Sequence, residues 1–204
     1  KNHPGGQSTA AYGLVHYCHE NDIRLDIIDS AQESFPFPSL YKRSLRAFRR
    51  IILCLKALSF NRYNGVIIFS GSGLSFFEKM ILASMCRLFI TKSIFFVRDG
   101  FFISECKTFW RRLIYSLFLR IPNFLGSQGA SWSKLYEGLG ISKSRIVLIP
   151  NWLSPLKHPC ESPKVHSENT KAKLTYLFVG WIVESKGVRE IINAIEGSEI
   201  LRRH

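Results

Sequence analysis

The chain predicts an α/β fold built on a Rossmann-like, doubly wound parallel sheet, and three observations predict it. Apolar runs of strand length alternate with amphipathic stretches of helix length along most of the 204 residues. The runs are apolar at consecutive positions, as strands covered on both faces require. Glycine-bearing turns, "GSG" at 71–73 and "RDG" at 98–100, follow two of the runs, where α/β folds lead a strand into a helix.

Taken in order, "GGQST" (5–9) is a glycine loop and residues 8–20 the helix it opens, with Ser8 or Thr9 as cap. "IRLDIID" (23–29) alternates like a strand. Residues 40–60 repeat Tyr41, Leu45, Phe48, Ile52 and Leu55 at helical spacing. "GVIIFS" (65–70), "SIFFVR" (93–98), "NFLGS" (123–127) and "RIVLIP" (145–150) are strands, with helices over 74–90, 107–120 and 130–138 between them. Right-handed crossovers join such parallel strands. Residues 154–173 hold three prolines and little apolar content, which marks a linker. A last strand (174–180) and helix (187–196) follow. The division is therefore a first Rossmann-like domain at 1–153, a linker at 154–173 and the start of a second, incomplete one at 174–204. The first glycine loop has no strand ahead of it, so one is expected upstream, in the middle of the sheet.

The formal charge of +13 calls for an anionic partner. No acidic residue lies between Glu33 and Glu78, where Arg43, Arg46, Arg49 and Arg50 crowd one helix. A second acid-free stretch, after Glu105, carries Lys107, Arg111, Arg112 and Arg120 among aromatics. Basic amphipathic helices suit an anionic membrane surface, with Arg43, Arg46, Arg49 and Arg50 facing it. The plainer reading is core-packed helices with solvated basic faces. No nucleic-acid reader motif accompanies the charge, so nucleic acid is not an expected partner. The longest apolar runs fall far short of a membrane span. Five scattered cysteines without a C-x-x-C pair read as reduced thiols of a cytoplasmic protein. His16, Cys18 and His19 lack a further ligand, so no metal site is expected.

Several positions carry candidate chemistry. Gly5 and Gly6 let the backbone approach a ligand, and with Gln7 and Ser8 they form an anion or hydroxyl site or a plain helix cap. "GSGLSF" (71–76) resembles a dinucleotide turn but puts Phe76 at the third glycine position. Arg98 can pair with an anion and Asp99 can orient a hydroxyl or act as base; an Arg98–Asp99 pair bracing the loop fits equally. Lys186, between the strand ending at Gly180 and a helix starting near Gly187, can hold a phosphate or stand as a solvated charge.

Together these pieces resemble the family-4 retaining glycosyltransferases, which set two Rossmann-like domains across a cleft in the GT-B architecture. "GGQSTAA" is similar to that family's N-terminal glycine loop, and "GLGISKSRIVLIPNW" to its passage out of the first domain. "LFVGWIVESKGVREIINAI" resembles the opening of its second domain, and "RDGFF" falls where it places an acceptor-side loop. The resemblance implies sugar transfer, with retention and without metal or cofactor, from a nucleotide-sugar to a glycan or lipid-linked acceptor hydroxyl. It further implies cell-surface polysaccharide or glycolipid synthesis at the inner face of a membrane. It places Lys186, Gly180 and Gly187 at the donor phosphate, with Trp181 where the family often has arginine. Gly5, Gly6, Gln7 and Ser8 fall near donor or acceptor, Arg98 and Asp99 at the acceptor loop, and Asn151 between the domains. The family's paired glutamates would lie beyond residue 204, so this chain alone is expected to be inactive. Two rival expectations stand beside it: a non-catalytic remnant that binds sugar or lipid, and a dinucleotide oxidoreductase using "GSGLSF".

Overall fold

The computed structural model describes residues 6–30, 38–151 and 187–198, and the chain divides into two compact units, Lys1–Lys157 and His158–His204. In the first unit β1 (Val66–Ser70), β2 (Ser93–Val97), β3 (Phe124–Ser127) and β4 (Ile146–Leu148) form one sheet. Its order is β1-β2-β3-β4 and every pairing is parallel. The helices of this unit are α1 (Gly6–Glu20), α2 (Leu40–Phe60), α3 (Leu74–Leu88), α4 (Phe101–Glu105), α5 (Phe109–Phe118) and α6 (Ala130–Gly138). In the second unit α7 spans Val188–Gly197. The fold is α/β, with helices flanking a parallel sheet in the Rossmann-like manner. As crossover connections require, α3 packs on β1 and β2, and α6 on β3 and β4.

One expectation changes. Residues 23–29 form no strand: Ile23, Leu25 and Ile27 are exposed, and the segment is tied down by Ile28 at the core edge and by Asp26, which accepts from the Tyr63 hydroxyl at 2.8 Å. A period-two pattern becomes a strand only beside a partner that completes its ladder, and no described strand runs alongside.

The register aligns Ile68, Phe95 and Leu125 across one face, and helices α2 to α6 contribute to the core that covers it. At its centre the Phe76 ring meets Phe95 at 5.6 Å, Phe102 at 5.7 Å and Tyr115 at 4.7 Å. Burying one such ring contributes about 2–3 kcal/mol. The opposite face carries the row Phe69, Phe96, Gly126 and Val147. Gly126 is required there, because an added Cβ would lie 2.7 Å from the Phe96 ring.

Helix α2 starts at Ser39, whose hydroxyl accepts from the Lys42 amide, and it packs against α3. Arg50 donates to both carboxylate oxygens of Glu78, at 2.7 and 2.9 Å, and the Lys79 ammonium lies 3.0 Å from the same carboxylate. Burial would raise the Glu78 carboxyl, but the bonds from Arg50 and Lys79 outweigh it and hold it below the usual carboxylate range. For Lys79 burial wins, and its pKa is lowered. This arrangement corrects the membrane-facing assignment of Arg50, which is buried because Glu78 recruits it into the α2–α3 contact. Arg43 and Arg46 are half-buried on the inward side of α2, and of the four arginines Arg49 alone is exposed.

Candidate functional site

Because all four strands are parallel, their C-terminal ends share one edge, and the loops that follow them gather there. Hydrogen bonds carry the ladder past the strand ends. The Arg98 amide donates to the Ser70 carbonyl at 2.9 Å, the Ile149 amide to Ser127 at 2.8 Å, and the Gln128 side chain to the Val97 carbonyl at 2.9 Å. The loops at 71–73, 98–100, 128–129 and 149–151 are thereby fixed side by side.

Arg98 and Asp99 do not pair with each other. The Arg98 guanidinium lies over the Phe96 ring at 5.2 Å and the Phe69 ring at 6.0 Å, and donates to the Asn151 side-chain carbonyl at 3.0 Å. Two residues predicted for different roles and 53 positions apart therefore meet at one edge. Partial burial against aromatic faces keeps this cation fixed, which suits an anionic or hydroxyl-rich group.

Asp99 turns the other way. Its carboxylate accepts from the Ser72 hydroxyl and from the amides of Ser72 and Phe101, at 3.1 and 3.0 Å. Burial would raise its pKa, but these bonds prevail and leave it lowered. With its oxygens engaged by Ser72 and the Phe101 amide, Asp99 braces the two loops against each other.

The same contacts bear on "GSGLSF". At a dinucleotide turn the free amides receive phosphate oxygens. Here Asp99 occupies the Ser72 amide, and the Gly73 amide donates to Glu105 at 3.3 Å. Two carboxylates fill and repel the place a pyrophosphate would take.

Glu105 and Ser72 are the residues that sequence reasoning missed. Glu105 also accepts from the Tyr115 hydroxyl and the Arg111 guanidinium, each at 2.6 Å, and ties β1, α4 and α5 together. Burial and then the bond to Glu105 push the Tyr115 hydroxyl well above its ordinary pKa. A lone acid opening a basic aromatic stretch was the available signal.

The remaining predicted positions are divided. Gly5, Gly180, Trp181 and Lys186 lie outside the described residues. Gly6, Gln7 and Ser8 are already in the first turn of α1, so the helix starts before the predicted cap. Gly187 has the left-handed conformation (φ 70°, ψ 21°) immediately ahead of α7, a geometry that favours glycine. The Glu190 carboxylate folds back to within 3.7 Å of where a Gly187 Cβ would stand. His16 is paired with Glu20 at 3.1 Å, and Cys18 is buried. Among the described residues no cluster of ligands could hold a metal ion, and no helix is long and apolar enough to cross a membrane. Set against family models, curated proteins and solved structures, the chain matches none of them.

Proposed function

We propose that this chain belongs to a retaining glycosyltransferase, which moves a sugar from a nucleotide-sugar to a glycan or lipid-linked hydroxyl. The observation that carries the reading is the meeting of Arg98 with Asn151 at the C-terminal edge of the parallel sheet. It joins the acceptor-loop motif to the "IPNW" passage in one place. The left-handed Gly187 ahead of α7 gives further support, because it lets the backbone turn tightly into the helix directly after Lys186. In this reading Lys186 and the first amides of α7 neutralise the departing diphosphate, while Arg98 positions the acceptor side. Asp99 holds the loop and transfers no proton. The chemistry needs no metal, and it would belong to polysaccharide or glycolipid synthesis on the cytoplasmic side of a membrane.

The oxidoreductase alternative is disfavoured by the carboxylates seated on the Ser72 and Gly73 amides. Calorimetric titration of the chain with UDP, GDP and NAD tests the choice. One nucleoside diphosphate is expected to bind and NAD is not. Lys186→Ala should weaken the diphosphate by about tenfold, the worth of one charge-assisted contact. Glu190→Gln should tighten it by removing a competing carboxylate. Binding of NAD alone, or diphosphate binding indifferent to Lys186, would overturn the proposal.

A further inference from the structure

The periodic apolar stripe of α2 faces the wrong way for a core helix. Arg50, Cys54 and Leu58 point inward, whereas Tyr41, Leu45, Phe48, Ile52 and Leu55 are 77%, 57%, 60%, 38% and 45% exposed. These five recur at intervals of four and three residues and so form one line along a helix of about 31 Å. Lys42, Arg49 and Lys56, spaced seven apart and all exposed, run beside that line, and none is in an ion pair among the described residues. The helix contains no acid. Beyond α3, whose Phe77 ring contacts Phe118 of α5 at 5.6 Å, the outer side of α5 adds exposed Trp110 and Leu117.

We propose that the outward face of α2 docks on an anionic lipid surface, lying in the plane of the headgroups with its stripe among the acyl chains. The partner's chemistry follows from charge complementarity. A second copy of the same face would oppose Lys42, Arg49 and Lys56 to one another with no acid to offset them. Nucleic acid would take the cations but leave five apolar side chains in water, whereas an anionic bilayer satisfies both. The surface belongs to α2 itself and holds whether or not the chain transfers sugar.

Flotation of the full chain with vesicles tests this. Binding is expected to vesicles of phosphatidylcholine mixed with phosphatidylglycerol, to be weak on phosphatidylcholine alone, and to fall as salt rises. Arg49→Glu with Lys56→Glu should weaken it roughly thirtyfold or more, from two surface cations lost and reversed. The same change at exposed Lys92 and Lys143, which precede β2 and β4 and belong to neither α2 nor α5, should alter it less than about twofold. Phe48→Ser with Ile52→Ser should release the chain even from anionic vesicles. An unchanged circular-dichroism melt would show that these surface variants are folded, and the salt dependence of the unaltered chain needs no variant. Equal binding to neutral vesicles would overturn the proposal, as would an equal loss in the Lys92/Lys143 control. So would tighter retention on DNA than on vesicles, or self-association that Phe48→Ser abolishes while vesicle binding is absent.

Discussion

The two faces of the β1–β4 sheet are built from neighbouring residues of the same strands, yet they are treated differently. On one, Ile68, Phe95 and Leu125 are almost wholly buried beneath helices. On the other, Ile67 is 47% exposed, Ile94 and Phe124 are half-buried, and burial is concentrated at Phe96, close to Gly126. The first face belongs to the hydrophobic core cluster of the described residues. The second leads along Phe69 and Phe96 to Arg98, and so to the proposed site. Apolar character on both faces of a strand therefore says that each can be covered, and packing decides which one is the core.

The largest effect should come from Phe95→Ala, which opens a cavity in the helix-covered core and should cost about 3–5 kcal/mol in denaturant unfolding. Ile67→Ala on the other face should cost less than about 1 kcal/mol, and similar losses at the two positions would erase the contrast. Also on the helix side, Glu78→Gln leaves Arg50 and Lys79 buried without their carboxylate and should cost about 3–5 kcal/mol. Because the folded-state pKa of Glu78 is depressed, its contribution is present at neutral pH. It should be lost as pH falls below about 4, and the Gln variant should lack that part of the acid dependence. On the second face, Gly126→Ala drives a methyl into the Phe96 ring and should destabilise by about 1–3 kcal/mol without disturbing the opposite row.

Two tyrosines sharpen the helix side further. Tyr115→Phe removes a donor from buried Glu105 and should cost about 1–2 kcal/mol. The Tyr136 hydroxyl is buried with no hydrogen-bond partner among the described residues, so Tyr136→Phe should be neutral or slightly stabilising. The smallest effect is at Ile90, which closes α3 with φ 56°, a conformation that a β-branched residue resists. Ile90 is almost fully exposed, and Ile90→Gly should raise stability by up to about 1 kcal/mol.

The strands β1 to β4 were legible because short runs of consecutive apolar residues set between helical patterns have few other uses. Residues 23–29 show the limit, since alternation specifies a strand only when a neighbour supplies the ladder. Helix α2 was legible in extent but not in orientation. Its larger apolar stripe is outside, and its inner side is completed by Arg50, whose charge is tolerable only because Glu78, 28 residues away, meets it. The site was readable as separate loops. That Arg98 would leave its neighbour Asp99 for Asn151, and Asp99 would take Ser72, depends on strand register, which residue types do not encode.

Hydrogen–deuterium exchange of the chain, with and without a bound nucleoside diphosphate, tests the central claim most directly. The transferase account predicts slower exchange at the amides that open α7, around 187–191, with the 71–76 turn unchanged. Protection confined to 71–76, or none near α7, would contradict it.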